Sequence, residues 1–273
     1  MSPVIITKHK STKFSEERIS KTGRHAENQN DTNQSLFVEN EIKFLVPVKA
    51  LKRAVDLKQL DKDLIEQRYF SNNLIPHVLK YMQRLGQHDL SCFEARHFTQ
   101  ARMRKTIELS SGSESYELAL KSKRNFKLFS ERGEIPQEIS KTKYKDILRF
   151  IRAGSAYRER GFLEKERSKD AAETKSGKIV NLEIDIIKAA GIGNHFEEYR
   201  LSDFPYVQIG CEVKDARAIQ ELIRGNHDIP YLKGEDVWLI TNNTDLAPLL
   251  SMREISKKGL KTGKLYSLLA VAA

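Results

Sequence analysis

The chain has 273 residues, 39% apolar and 31% charged, and carries a net charge of +10 at pH 7. That is enough apolar material for one large domain or two small ones, and the positive balance favours anionic partners: phosphates, nucleotides, nucleic acid or an anionic membrane surface. Two cysteines (Cys92 and Cys211) and scattered histidines exclude a disulfide framework and a Cys/His metal motif, and no run reaches the roughly 18 apolar residues of a membrane-spanning helix, so a cytoplasmic protein is expected.

Residues 1–35 are polar and aperiodic and read as a disordered tail. The tail holds six basic and four acidic residues, a contribution of +2, so the remaining +8 lies in 36–273. That stretch reads as a single domain, with core motifs in 36–215 and a more helical part in 216–273. At 38–46, V-E-N-E-I-K-F-L-V alternates at period two. Val38, Asn40, Ile42, Phe44 and Val46 share one face of a strand, and Glu39, Glu41 and Lys43 share the other. A helix is expected over 49–60, a strand over 64–70, and an amphipathic helix over 74–86 with Gly86 as its C-cap.

Alternation resumes at 98–107, where Arg102 and Arg104 oppose Ala101 and Met103. The sequence S-S-G-S at 110–113 reads as a hairpin turn into a strand at 116–123. A further strand at 125–135 carries Glu131 and Glu134, on opposite faces unless a bulge at Gly133 intervenes. A helix over 137–152 precedes a strand pair at 161–167 and 178–187, joined by a polar turn near 170–177. In the second of these, Val180, Leu182, Ile184 and Ile186 oppose Asn181, Glu183 and Asp185. A strand at 206–214, a helix at 215–225, a short strand near 236–241 and helical turns complete the chain.

Strands with one apolar and one charged face fit either a sheet wet on one side or a barrel that is charged inside. Four amphipathic helices need an apolar surface to cover, which favours an α+β fold: an eight-stranded antiparallel barrel with a charged interior and helices outside. Lining a barrel with both signs of charge is costly unless the charges bind something. A polyphosphate with divalent cations fits, since Lys and Arg neutralise phosphate oxygens and carboxylates hold Mg²⁺ or Mn²⁺.

E-N-E-I-K at 39–43 resembles the E-x-E-x-K signature of the CYTH, or triphosphate tunnel metalloenzyme, superfamily. Further resemblances follow in order: I-E-Q-R-Y-F at 65–70, R-M-R at 102–104, E-L-A-L-K at 117–121, L-E-K-E-R at 163–167, L-E-I-D at 182–185 and C-E-V-K at 211–214. The resemblance implies an eight-stranded tunnel that hydrolyses or cyclises a triphosphate with Mg²⁺ or Mn²⁺. It implies Glu39, Glu41 and Glu212 as metal ligands. Lys43, Arg102, Arg104, Lys121, Lys165 and Arg167 would grip phosphate, and Asp185 would hold a basic residue or a metal-bound water. Glu131 or Glu134 would stand for the acidic fourth strand. Lys43, Asp185, Glu131 and Glu134 are the expected catalytic set. The chain departs from the pattern at Lys214, where a second carboxylate is usual. It departs at Arg68, in place of a glycine, where a further phosphate contact or a narrower tunnel mouth is expected, and at 71–97, which reads as an insertion usable as a lid. The expected function is hydrolysis of the terminal phosphate of inorganic triphosphate or a small organic triphosphate. The alternatives are adenylate cyclisation, RNA 5′-triphosphatase activity and non-catalytic triphosphate binding. Nucleic acid is a less favoured partner, and the oligomeric state is left open, a homodimer included.

Overall fold

The computed structural model describes residues 6–8, 37–86, 90–122, 125–126, 130–153, 159–192, 195–198, 206–213, 216–233 and 237–240. The period-two segments form strands. Those that make the barrel are β2 (Phe37–Pro47), β3 (Lys62–Phe70), β4 (Phe98–Glu108), β5 (Glu114–Ser122), β7 (Ser130–Glu138), β8 (Glu159–Glu173), β9 (Ile179–Ile192) and β11 (Tyr206–Val213). They are antiparallel in the order β2-β11-β9-β8-β3-β4-β5-β7, and β7 pairs in turn with β2 from Phe37↔Glu134 to Glu41↔Ser130. The row of eight thus returns on itself. Eight strands leave an interior just wide enough for side chains to fill.

Short strands decorate this ring. β1 (Ile6–Lys8) pairs with β12 (Trp238–Ile240), and β12 lies along Lys43–Leu45 of β2. Ile6–Lys8 therefore adds an edge strand where the sequence reads as disordered tail; the rest of 1–35 lies outside the described residues. β6 (Asn125–Phe126) pairs with β7, so the single strand expected at 125–135 is two. β10 (His195–Glu198) extends the β9 edge. The β8–β9 hairpin is much longer than expected, and its turn has Gly177 in the left-handed region at φ 79°.

The helices lie outside the ring. α1 (Val48–Ala54) stops well short of the expected 49–60, because Val55 is extended and Asp56 accepts a hydrogen bond from the Lys58 backbone N–H at 3.0 Å, a local turn that competes with the helix. α2 (Ile75–Leu85) ends at Gly86, left-handed at φ 69°, as expected. α3 (Lys141–Ala153) begins later than expected, since β7 pairs with β5 as far as Glu117↔Glu138. α4 is Ala216–Ile223.

Among the described residues, two apolar cores lie between the strands and the helices. Ile42, Phe44 and Val46 of β2, Val180, Leu182 and Ile184 of β9 and Val207, Ile209 and Cys211 of β11 pack with Ala218, Ile219 and Leu222 of α4. Met103, Leu118, Leu120 and Ile135 pack with Val78, Leu79 and Met82 of α2 and Tyr144 and Ile151 of α3. The stretch 71–97, expected as a lid, thus supplies a wall of the second core through α2. The outer surface of β3 and β8 carries ion pairs instead, such as Lys62 with Glu166 at 3.1 Å. Among the described residues, no helix is long and apolar enough to cross a membrane.

Phe44 is 1% exposed, at the centre of the first core. Phe44→Ala is expected to cost about 3–5 kcal/mol in urea unfolding, through lost burial and a cavity on the outer face of β2.

Candidate functional site

Alternation along the ring carries one set of side chains inward from every wall. Glu41 and Lys43 of β2, Gln67 of β3, Arg102 and Arg104 of β4, Lys121 of β5, Lys165 and Arg167 of β8, Glu183 of β9, and Gln208 and Glu212 of β11 line one cavity with Leu163. The free space among them is about 30 Å³, about one or two waters. The interior is therefore filled by its own charged side chains. It is also more apolar than expected: Leu45, Ile65, Tyr69, Leu163 and Ile187 are buried on the same inward parity, in register with Gln208, Lys165, Arg102, Gln67 and Lys165 respectively. These groups keep water from screening the charges between them.

Three groups of charges can be separated. In the first, Asp185, 1% exposed, accepts from Lys165 Nζ at 2.6 Å and from Arg167 Nε at 2.7 Å. Arg167 also donates to Glu183 through its other terminal nitrogen. Burial alone would raise the Asp185 pKa, but Arg167 and Lys165 override it and hold the carboxyl well below the usual range. Burial, reinforced by Arg167, pushes Lys165 down to about 8 against the pull of Asp185 and Glu183. Burial also opposes the charge of Arg167, but Asp185 and Glu183 more than offset it and raise its pKa.

In the second group, Glu134 accepts from Arg102 at 2.7 Å and pairs with Lys121 at 2.9 Å. Gln67, with its amide oxygen toward the guanidinium groups, accepts from Arg104 at 3.0 Å and from Arg102 at 3.2 Å. This fixes the direction of both arginines. In the third, Lys43 pairs with Glu41 at 3.1 Å. Glu41, Glu183 and Glu212 each place one carboxylate oxygen so that all three lie within 4.8 Å of one another. Three hard oxygen donors gathered this closely fit Mg²⁺ or Mn²⁺. Cys211, on the opposite face of β11, is no ligand: burial, with Glu41 and Glu183, raises its pKa and keeps it a thiol.

The structure brings together Lys43, Glu41, Arg102, Arg104, Lys121, Lys165, Arg167 and Glu212 around this cavity, with Asp185 and Glu134 bonded to its basic groups. Arg68 is elsewhere. It lies on the outer face of β3, bonded to Glu66 at 2.9 Å and Glu159 at 2.8 Å and placed over the Phe162 ring. Its position alternates with that of Gln67, so the expected phosphate contact is corrected. Glu134 supplies the acidic group on β7, and β7 pairs with β5 and β2 without a register shift at Gly133. Glu131 stands in register with Asn40, and Glu39 with Arg132. The side chains of Glu39 and Glu131, and all of Lys214, lie outside the described residues. Sequence reasoning missed Glu183 as a carboxylate of the cluster. Its signal was present: it sits two residues before Asp185, on the same face of β9.

No family model matches the chain, and no curated protein matches it. Among solved structures it is similar to the PH1819 protein from Pyrococcus horikoshii OT3, with 19% identity and a TM-score of 0.45 over 77% of this chain and 98% of that one. It is also similar to the inorganic triphosphatase NE1496, with 19% identity and a TM-score of 0.30 over 66% of this chain and 79% of that one.

Asp185 titrates well below its unfolded value, so the stability it contributes is present above about pH 4 and is lost as pH falls through its folded pKa. Asp185→Asn is therefore expected to destabilise the protein by about 3–5 kcal/mol at pH 7, by stranding Lys165 and Arg167. The variant should also show a flatter loss of stability below pH 4, measured by urea unfolding across pH.

Proposed function

We propose that the barrel is a triphosphate tunnel of the CYTH type, a single domain that holds a triphosphate with a divalent cation and hydrolyses its terminal phosphate. The observation that carries this reading is the convergence of six basic side chains and three clustered carboxylates on one cavity, each from a strand of the ring. A tunnel that only bound nucleic acid would need an open basic groove, not bases alternating with acids in an enclosed interior. The substrate class is inorganic triphosphate or a small organic triphosphate.

The geometry supports the following roles. Glu41, Glu183 and Glu212 would hold the cation, which when bound neutralises and polarises phosphoryl oxygens. Lys165 and Arg167 on one wall, and Arg102, Arg104 and Lys121 on another, offer donors to the phosphate chain from both sides. Asp185 and Glu134 are bonded to these bases. Until an anion arrives, they fix the bases in place and keep them charged. Lys43 pairs with Glu41 at the carboxylate cluster and faces the same cavity.

The anion enters by exchange. Each base gives up a carboxylate oxygen for a phosphate oxygen, so little net ion pairing is lost, and the resident side chains draw back to make room. Attack by water on the terminal phosphorus forms the new P–O bond as the bond to the bridging oxygen breaks; the water's proton leaves with the released orthophosphate or to solvent, and the negative charge left on the bridging oxygen falls among the same donors. Positioning and electrostatics carry the reaction, with no covalent nucleophile on the protein.

The test is turnover of tripolyphosphate, ATP and thiamine triphosphate with Mg²⁺ or Mn²⁺, reading phosphate, pyrophosphate and cyclic AMP. Orthophosphate release is expected. Cyclic AMP with pyrophosphate from ATP would replace hydrolysis by cyclisation, and binding without turnover would leave a binding module. Arg102→Ala and Lys165→Ala are each expected to lower kcat/KM by about 100-fold or more. Glu41→Ala should weaken Mn²⁺ binding by about 10–100-fold, with part of the lost turnover restored at high Mn²⁺.

A further inference from the structure

Gly210 lies inside β11, in register with Lys43 on one side and Glu183 on the other. Its backbone gives no reason for glycine. The described glycines with left-handed backbone are Gly86, Gly112, Gly177 and Gly225, and Gly210 is not among them. Glycine in an extended strand loses entropy on folding and packs nothing. The reason for it must lie in the space it leaves.

That space is occupied by the carboxylates. A β-carbon at this position would come 3.3 Å from Glu41 Oε1, 3.6 Å from Glu183 Cβ and 3.7 Å from Glu183 Oε2. Glu41 is itself 8% exposed and tied to Lys43, so its room to withdraw is small. Glu212, two residues further along β11, completes the cluster in which three oxygens lie within 4.8 Å.

We propose that Gly210 is a positioning residue for the cation site: its bare Cα is the floor over which the Glu41 carboxylate reaches Glu183 and Glu212. The inference rests on the reading of this cluster as a cation site and deepens it. The three carboxylates would hold the cation and leave room on it for water or phosphate. A methyl group at position 210 displaces the Glu41 carboxylate, its nearest neighbour, from the shared centre.

The test is Mn²⁺ binding to the purified full chain, read as loss of the free-Mn²⁺ electron paramagnetic resonance signal. Gly210→Ala is expected to weaken Mn²⁺ binding about tenfold or more, the scale seen when groups that orient metal ligands are changed. The melting temperature and the affinity for tripolyphosphate in EDTA should be unchanged. In a Glu41→Ala background, Gly210→Ala should cause no further loss of Mn²⁺ affinity, because the group it displaces is gone. Wild-type Mn²⁺ affinity in Gly210→Ala overturns the inference. So does an equal loss in both backgrounds, or a parallel fall in melting temperature and tripolyphosphate binding. Failure of the wild-type chain itself to bind Mn²⁺ is a different result: it removes the cation reading, and this inference with it.

Discussion

Asp185 sits 1% exposed between Lys165 and Arg167, and much of the site depends on that contact. Two cations on alternate positions of one strand repel each other, and burial raises the cost of each. The carboxylate offsets both penalties at once by bonding each base through short hydrogen bonds. It keeps Arg167 fully charged and leaves Lys165 with a pKa of about 8, so that both enter neutral solution mainly as cations. Glu134 repeats the arrangement across the ring with Arg102 and Lys121. The interior charges are thus nearly balanced, which is how a barrel this narrow tolerates them. On the proposed function, a phosphate would take over contacts that a carboxylate already makes.

The outer layers make this interior possible. Phe44 and Val46 of β2 and Ile209 and Cys211 of β11 anchor the walls in one core, and Met103, Leu118 and Leu120 of β4 and β5 anchor them in the other. A one-residue slip of any strand would turn its charges into an apolar core and its apolar groups into the tunnel. Burial on the outside therefore sets register, and register sets which side chains meet inside. The pairing of Glu41 with Glu212, and of Gly210 with both Lys43 and Glu183, is a direct product of that register. The outer face of the β3–β8 wall, among the described residues, carries ion pairs such as Arg68 with Glu66 and Glu159.

This difference explains what the sequence reveals and what it hides. Strands backed by an apolar core alternate, cleanly at 178–187 and with a break at Lys105 in 98–107, so the faces of 38–46, 98–107, 178–187 and 206–214 are legible, and with them Glu41, Lys43, Arg102, Arg104, Asp185 and Glu212. On β3 both faces carry polar residues. Period two alone gives no sign that Gln67 points inward and Arg68 outward; only the cross-strand neighbours decide. Glu183 shows the converse. Its face was legible, but its nearness to Glu41 and Glu212 depends on the β9–β11 register, which no single strand encodes. Local turn chemistry hid other boundaries: Asp56 shortens α1, and the continued pairing of β7 with β5 delays α3.

The central claim is spatial: a cation on the Glu41, Glu183 and Glu212 wall, and phosphates between the bases of β4–β5 and of β8. A crystal structure with Mn²⁺ and tripolyphosphate, with Mn²⁺ located by its anomalous scattering, tests it most directly. The account predicts one anomalous peak bonded to carboxylate oxygens of Glu41, Glu183 and Glu212. It also predicts phosphate density in contact with Arg102, Lys165 and Arg167 inside the ring. Mn²⁺ and tripolyphosphate bound only outside the barrel, with the Lys165–Asp185–Arg167 contacts intact and the tunnel filled by its own side chains, would contradict it.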